Sequence, residues 1–188
     1  MIKIGLTGSI ASGKTTASKF ISIGRGPLFS ADKVVKKLYT QKKFKQIISK
    51  KLNFRLNKNF KKKIKIEILR KNQNLRKLEK ILHPRVRKDM YAFSKKNKSK
   101  KILFFEIPLL IESKLNNYFD IIIFIRSKYN LRLKRFISRG GNKRLFILLD
   151  GHQLKETQKM KLCDYIVVNN KSLSVLKKKL LNIIKQYE

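Results

Sequence analysis

Glycine, lysine and threonine residues near the start of the chain have the spacing of a phosphate-binding loop. The segment GSIASGKT, Gly8 to Thr15, matches the pattern G-x-x-x-x-G-K-[ST]. Glycines let the backbone curl so that its N–H groups point inward and form a nest for an anion. Lys14 adds positive charge for the β- and γ-phosphates, and the Thr15 hydroxyl is placed to bind Mg²⁺. The pattern predicts a nucleoside triphosphate site with magnesium, with ATP as the default nucleotide. The residues predicted to hold the nucleotide are Gly8, Ser9, Ile10, Ala11, Ser12, Gly13, Lys14, Thr15 and Thr16.

A carboxylate follows the second predicted strand. Asp32 lies in the segment FSADK, where the extended piece Pro27–Ser30 ends and a helix begins. In open α/β sheets, ligands gather beyond the carboxyl ends of the strands, so Asp32 is expected to face the same crevice as the loop. An aspartate at this position is also well suited to cap the helix, and position alone does not separate the two roles. The sequence has no N-K-x-D guanine signature, which disfavours a GTP switch.

Short apolar runs alternate with helical patterns along the chain. The remaining predicted strands are Ile2–Leu6, Ile102–Phe105, Asp120–Ile125 and Asp164–Val168. The predicted helices are Lys14–Ile23, Lys128–Ser138, Leu173–Tyr187 and most of the stretch from Lys33 to Asn97. Within that stretch, turns are expected near Asn57–Lys63 and Lys71–Asn74, and Pro84 is expected at a helix start or kink. Apolar strands separated by helices predict an α/β fold with a parallel sheet covered on both faces.

Length and composition predict a folded protein. The 188 residues are 42% hydrophobic and suit one domain, or one domain with a lid-like insertion. No apolar run approaches the roughly 20 residues that span a bilayer, and a cytoplasmic location is expected. The single cysteine, Cys163, excludes an internal disulfide and a cysteine-based zinc cluster.

The chain is strongly basic, with 48 Lys and Arg against 11 Asp and Glu and a formal net charge of +37. Such a charge attracts polyanions, including nucleic acid. Lysines are spread along the whole length, which favours a compositional origin, as in proteins from AT-rich genomes. The basic residues also lack the aromatic interleaving of single-strand binding platforms. We therefore predict a protein that needs no nucleic-acid partner.

Further motifs, in their order and spacing, resemble those of the dephospho-coenzyme A kinase family over nearly the whole chain. After the loop and Asp32, these motifs are Ile81-Leu82-His83-Pro84, Ile107-Pro108-Leu109-Leu110-Ile111-Glu112, Gln153 with Lys159 and Asp164-Tyr165, and Asn169-Asn170. The resemblance implies a three-layer α/β/α P-loop NTPase core (residues 1–32, 98–138 and 154–188), a helical substrate domain (33–97) and a small lid (139–153). It also implies transfer of the ATP γ-phosphoryl group to the ribose 3′-hydroxyl of dephospho-CoA, the last step of coenzyme A synthesis.

The resemblance assigns roles to residues of this sequence. It implies that Asp32 accepts the hydroxyl proton, while Lys14 and Arg139 stabilise the transferring group. Arg135 would help to clamp the phosphates, and Thr15 with Glu106 would hold magnesium. One of Asn169 and Asn170 would face the adenine. The residues implied to line the acceptor site are Asp32, His83, Arg87, Pro108, Leu109 and Leu110.

Several positions depart from the family pattern, among them Ser30, Leu149 and Lys171. Ser30 stands where the family usually has a second acid, and Leu149 stands where many members carry a lid arginine. The predicted protein is a monomer that acts on a small molecule and does not bind membranes. The alternatives are a basic P-loop ATPase stimulated by nucleic acid, a P-loop kinase acting on another small-molecule hydroxyl, and a phosphate-binding protein without catalysis.

Overall fold

Five parallel strands form a single sheet at the centre of the fold. The structure, a computed structural model, describes residues 1–188. The strands are β1 Ile2–Gly8, β2 Leu28–Ser30, β3 Ile102–Glu106, β4 Ile121–Arg126 and β5 Tyr165–Val168. Their order across the sheet is β2-β3-β1-β4-β5, and every pairing is parallel. The α/β fold and its parallel sheet are confirmed.

Nine α-helices and one 3-10 helix connect the strands. The helices are α1 Lys14–Ser22, α2 Ala31–Leu38, α3 Lys42–Leu52, α4 Phe60–Arg70, α5 Gln73–Lys96, α6 Tyr129–Ile137, α7 Lys143–His152, α8 Glu156–Met160 and α9 Leu173–Ile184, and the 3-10 helix is Asn116–Tyr118. No helix is both long enough and apolar enough to cross a membrane.

Successive residues on a strand point to opposite faces of the sheet, so the strands contribute to two cores, one on each face. On one face, Phe104 is fully buried in a cluster with α1 and α9. The members of this cluster are Ile4, Leu6, Ala17, Ile21, Ile102, Phe104, Ile123, Ile125, Val167, Leu176, Leu180 and Ile184. The neighbouring Phe105 belongs to an aromatic cluster with Phe29, Phe93 and Phe119. The two clusters hold the strand ends at fixed positions.

The chain divides into two compact units, one of residues 1–30 with 93–188 and one of residues 31–92. The smaller unit is helical and has its own apolar core. The ring of Phe60 packs edge-on against Tyr39, with 5.5 Å between the ring centroids. Burial raises the pKa of Tyr39 to about 12. The predicted substrate domain and lid boundaries remain predictions.

In the smaller unit, Pro84 was expected at a helix start or a kink; the helix start is wrong, and the kink remains a prediction. This residue lies inside α5 and not at its start. A proline in a helix removes one backbone hydrogen bond and costs about 3 kcal/mol. Buried Leu78, Leu82 and Met90 on the same helix supply packing that offsets this cost. The expected turns are also shorter, since α4 begins at Phe60 and α5 at Gln73.

Candidate functional site

The phosphate loop (Gly8–Thr15) leads from the end of β1 into the first turn of α1. Gly8 has a φ of 148° and Gly13 a φ of 101°, values that side chains rarely allow. A Cβ atom on Gly8 would collide with the backbone oxygen of Ile125, and one on Gly13 with the side-chain amide of Asn169. Both positions therefore need glycine, and the curled loop predicted from the sequence is present.

Two side chains of the loop are suited to an anion. Lys14 is 8% exposed, and its Nζ donates to the backbone oxygens of Gly8 (3.0 Å) and Ser9 (2.8 Å). The Ser12 Oγ is buried and has no hydrogen-bond partner. Buried polar groups are rarely left in this condition, because an unmade hydrogen bond costs about 1–3 kcal/mol. A hydroxyl and an ammonium group in an amide-lined loop fit the phosphates of ATP.

Oxygen atoms from three elements meet beside the loop. The Thr15 Oγ1 donates to Oε1 of Glu106 over 2.5 Å, and the Ser30 Oγ donates to Oε2 over 2.9 Å. Glu106 ends β3, where it pairs with Leu6 of β1 and Ser30 of β2. The carboxylate is 2% exposed. Carboxylate and hydroxyl oxygens are suitable ligands for Mg²⁺, which usually keeps several waters and binds one or two protein carboxylates with substrate phosphates. This pair of residues fits the predicted metal site.

Arg135 adds positive charge at the loop, and the charge of Arg139 lies near that of Arg135. Arg135 on α6 donates to the Ser12 carbonyl (3.5 Å), the Ser127 hydroxyl (3.1 Å) and the Asn169 carbonyl (3.2 Å). Burial lowers the pKa of the Arg135 guanidinium from its ordinary value, and repulsion from the Arg139 charge lowers it further. Two cations that repel each other are stabilised by an anion placed near both.

The two asparagines after β5 both take part in the structure around the loop. The Asn169 Nδ2 donates to the Ser12 carbonyl over 2.8 Å, and the side chain is 3% exposed. The Asn170 Oδ1 accepts from the Lys128 amide (2.9 Å) and the Ser127 hydroxyl (3.3 Å). Asn169 therefore supports the loop directly, while Asn170 fixes the turn before α6. The adenine contact assigned to this pair remains a prediction.

The segment after β3 is fastened to the core. The Thr7 Oγ1 donates to the Pro108 carbonyl over 3.0 Å. Leu110 is fully buried, and Leu109 is partly exposed. Further along, Glu112 accepts from the Lys159 ammonium over 2.8 Å. These contacts fix the position of the backbone at Pro108–Leu110, whose acceptor-lining role remains a prediction.

Three predicted acceptor-site residues belong to the helical unit of residues 31–92. Asp32 lies in the first turn of α2, which begins at Ala31 and follows directly on β2. Asp32 therefore lies inside the helix. It does not occupy the N-cap position, which was the alternative role that the sequence allowed. His83 and Arg87 are four residues apart on α5, so they share one face of that helix. Their roles toward the acceptor remain predictions.

The sequence did not single out two residues near the loop, Glu156 and Arg132. The Ser9 Oγ donates to Oε1 of Glu156 over 2.6 Å. Arg132, which is 5% exposed, contacts the same carboxylate with its Nη2, 3.6 Å from Oε1. Ser9 and Glu156 are 147 residues apart, and no local pattern marks them as partners.

The family profile and the relatives in sequence point to one family. The family profile described as dephospho-CoA kinase matches residues 2–174. The chain is 36% identical to a protein named dephospho-CoA kinase from Fusobacterium nucleatum, with 94% of this chain and 93% of the relative covered. Its structure is similar to that of a dephospho-CoA kinase from Campylobacter jejuni, with a TM-score of 0.64, 27% identity and coverage of 98% and 96%. It also shares its fold with a shikimate kinase from Acinetobacter baumannii, with a TM-score of 0.57, 15% identity and coverage of 99% and 94%.

Proposed function

Because this chain belongs to the dephospho-CoA kinase family, we propose that it transfers the γ-phosphoryl group of ATP to the ribose 3′-hydroxyl of dephospho-CoA. This reaction is the last step of coenzyme A synthesis. The observation that carries the proposal is a fully formed phosphate loop, with Thr15 joined to Glu106, in a chain that matches the family over residues 2–174.

The phosphate loop is the proposed binding site for the triphosphate of ATP. Its backbone amides and the Ser12 hydroxyl are the donors for the phosphate oxygens, and Lys14 supplies a point charge. Arg135 lies against the Ser12 carbonyl, so it adds charge at the same end of the loop. Charge developing on the transferring group is stabilised by such fixed donors, which need no rearrangement during the reaction.

Thr15 and Glu106 are the residues that would hold Mg²⁺. Bound magnesium neutralises phosphate charge and orients the β- and γ-phosphates. Ser30 orients the carboxylate of Glu106 through its hydrogen bond to Oε2. The hydroxyl of Ser30 thus serves as a supporting group where the family usually has an acid.

Asp32 is the proposed general base. Its carboxylate takes the proton of the ribose 3′-hydroxyl as that oxygen attacks the γ-phosphorus. The bond from the γ-phosphorus to the bridging oxygen breaks, and ADP leaves with the electron pair. A positioned base contributes about 10²–10⁴-fold in rate. Support for this role comes from chain position, since Asp32 follows β2 by two residues and Ser30 at the end of that strand contacts Glu106.

Residues 139–153 are the proposed lid. They contain the turn before α7 and the helix itself. Arg139 would act as a clamp on the transferring phosphoryl group, because arginine offers a rigid, permanently charged fork of donors. His83, Arg87, Pro108, Leu109 and Leu110 are the proposed acceptor-site residues, with dephospho-CoA as the small-molecule partner. Since the proposed substrates are soluble nucleotides and no step needs a second chain, we place the enzyme in the cytoplasm as a monomer.

An acceptor screen tests the proposal. Purified protein, ATP and Mg²⁺ are incubated with dephospho-CoA, nucleosides, nucleoside monophosphates or shikimate, and ADP and phosphorylated products are measured. We expect dephospho-CoA to be the preferred acceptor. Preference for another acceptor would make the chain a kinase of different specificity. ATP turnover that rises with added RNA or DNA, without any phosphorylated acceptor, would favour the nucleic-acid-stimulated ATPase.

An Asp32→Asn variant tests the base within the same assay. We expect the rate to fall by about 10²–10⁴-fold while ATP affinity is retained. Asp89→Asn is the matched control, because Asp89 is an exposed aspartate of the same helical unit. A normal rate in Asp32→Asn would remove Asp32 from the role of base.

A further inference from the structure

A carboxylate lies against the phosphate loop. Glu156, in the first turn of α8, accepts a hydrogen bond from the Ser9 hydroxyl over 2.6 Å. Ser9 is 3% exposed and belongs to the phosphate loop itself. A negative charge at this place opposes the binding of a triphosphate, because like charges a few ångströms apart in a partly buried site repel strongly.

Arg132 is placed to offset that charge. Its Nη2 lies 3.6 Å from Oε1 of Glu156, the same oxygen that accepts from Ser9. Its Nη1 lies 2.5 Å from Oδ1 of Asp150 on α7. The guanidinium therefore contacts two carboxylates, one that touches the loop and one on α7.

The position of Arg132 is fixed by its surroundings. Its Nε donates to the Ser127 carbonyl over 3.1 Å. The guanidinium also lies 5.6 Å from the ring centre of Tyr129 and 5.7 Å from that of Phe146. The residue is 5% exposed, so salt and water screen its charge weakly.

Arg126 is the other cation at Glu156, and it is less able to replace Arg132. Its Nε lies 3.5 Å from Oε2 of Glu156. Its side chain is 52% exposed, so its interaction is screened by solvent. The negative charge of Glu156 is therefore offset mainly by the buried Arg132.

We propose that Arg132 is a positioning residue that neutralises Glu156 and thereby keeps the phosphate loop able to accept a triphosphate. Glu156 holds the Ser9 side of the loop, and Arg132 removes the electrostatic cost of having an acid there. This inference rests on the proposed function only in taking the loop as an ATP site. It does not depend on which acceptor is phosphorylated.

Charge rescue tests the proposal. The dissociation constant of Mg-ATP is measured by calorimetry for wild type, Arg132→Met and two double variants. Arg132→Met is expected to weaken ATP binding about tenfold, because the Glu156 charge is no longer offset. Adding Glu156→Gln, which keeps an acceptor for Ser9, is expected to bring the constant back to within about threefold of wild type.

Asp150→Asn in the Arg132→Met background is the matched control. It removes the other carboxylate that Arg132 contacts, and Asp150 has no hydrogen bond or ion pair to the loop. We expect this double variant to bind ATP as weakly as Arg132→Met. Equal rescue of ATP binding by Glu156→Gln and Asp150→Asn would overturn the proposal. Removal of either carboxylate left without Arg132 would then explain the data, with no special role for the one that contacts the loop. Wild-type affinity in Arg132→Met, or no rescue by Glu156→Gln, would also overturn the proposal.

Thermal denaturation shows whether Arg132→Met folds. If it does not fold, a single variant that keeps Arg132 tests the proposal. Glu156→Gln with Arg132 intact removes a negative charge beside the triphosphate, so ATP is expected to bind about threefold more tightly. Weaker or unchanged binding would overturn the proposal. The acceptor assay is scored separately. If the variants bind ATP with the expected affinities but dephospho-CoA is not phosphorylated, this inference stands and the proposed function is rejected.

Discussion

The Thr15 Oγ1 donates a hydrogen bond to Oε1 of Glu106 over 2.5 Å. This contact joins the first turn of α1 to the last residue of β3, 91 residues away in sequence. It brings the hydroxyl of the phosphate loop and a buried carboxylate to one place at the carboxyl edge of the sheet. Through this contact, Glu106 is directly connected to the loop hydroxyl that is proposed to bind magnesium.

Replacing Glu106 by glutamine tests its proposed contact with magnesium. A carboxamide is neutral and a weaker ligand than a carboxylate, so we expect the rate of phosphoryl transfer to fall about 10²-fold. The Mg²⁺ concentration needed for half-maximal rate should rise as well. The rate is measured over a magnesium titration at saturating ATP.

Ser30→Ala is the control for Glu106→Gln, because it removes a hydrogen bond to the carboxylate and keeps its charge. Its rate should fall less than about fivefold, in line with the loss of one ordinary hydrogen bond. Wild-type behaviour of Glu106→Gln at every magnesium concentration would remove Glu106 from the metal site.

Gly13→Ala is expected to disable the loop. Gly13 has a positive φ of 101°, and an added Cβ would run into the Asn169 side chain. We expect ATP affinity to fall at least about tenfold, since the backbone must shift where it approaches the phosphates. Binding is measured with a fluorescent ATP analogue.

Gly24→Ala is the matched control for Gly13→Ala. Gly24 also has a positive φ, of 74°, but an added Cβ meets nothing within 4 Å. It should lose about 1–2 kcal/mol of stability from backbone strain and keep its ATP affinity. Equal ATP affinity in the two variants would show that the close approach of Asn169 to Gly13 is unimportant.

Lys159 and Glu112 form a buried ion pair that joins α8 to the segment after β3. Lys159 is fully buried, and its Nζ lies 2.8 Å from Oε1 of Glu112. Lys159→Met leaves an uncompensated carboxylate, so we expect a loss of about 3–5 kcal/mol in the free energy of unfolding. Adding Glu112→Gln should recover most of it. Urea denaturation gives the values, and a double variant no more stable than Lys159→Met would contradict this account.

Cys163 is expected to react slowly. Burial raises the pKa of its thiol from 9.0 to about 11, and the Asp164 and Glu112 charges raise it while that of Lys159 lowers it. Because the native state binds this proton more tightly than the unfolded chain, its stabilising contribution is complete below pH 9 and is lost as pH rises toward about 11.

Alkylation measures this thiol directly, because Cys163 is the only cysteine. At pH 8 the native protein should react about a hundredfold more slowly than the chain unfolded in urea, since less thiolate is present. The native rate should then rise steeply between pH 9 and 11. Equal rates for native and unfolded protein at pH 8 would contradict the raised pKa.

The sequence predicts the local parts of the site well. The order of β1, phosphate loop and α1 is encoded in one continuous stretch, so glycine spacing and apolar pattern are enough to place it. The link between Thr15 and Glu106 needs the position of β3 beside β1, which a single sequence does not contain. Only the family resemblance suggested Glu106 as a partner.

Long-range contacts explain what sequence reasoning missed. Arg132 is one basic residue among 48, and Glu156 lies in a stretch for which the sequence predicts no helix or strand. Their meeting at Ser9 depends on how α6 and α8 are placed by the order of β4 and β5 in the sheet. Pro84 lies inside α5 and not at a helix start for a related reason, since packing of this helix outweighs the local preference of proline.

Product identification from a single reaction tests the central claim most directly. Wild-type protein is mixed with Mg-ATP and dephospho-CoA, and products are followed by phosphorus NMR and mass spectrometry. The account predicts that ADP and coenzyme A appear in equal amounts, with the new phosphate on the ribose 3′ oxygen. Release of ADP and inorganic phosphate with dephospho-CoA unchanged would contradict it.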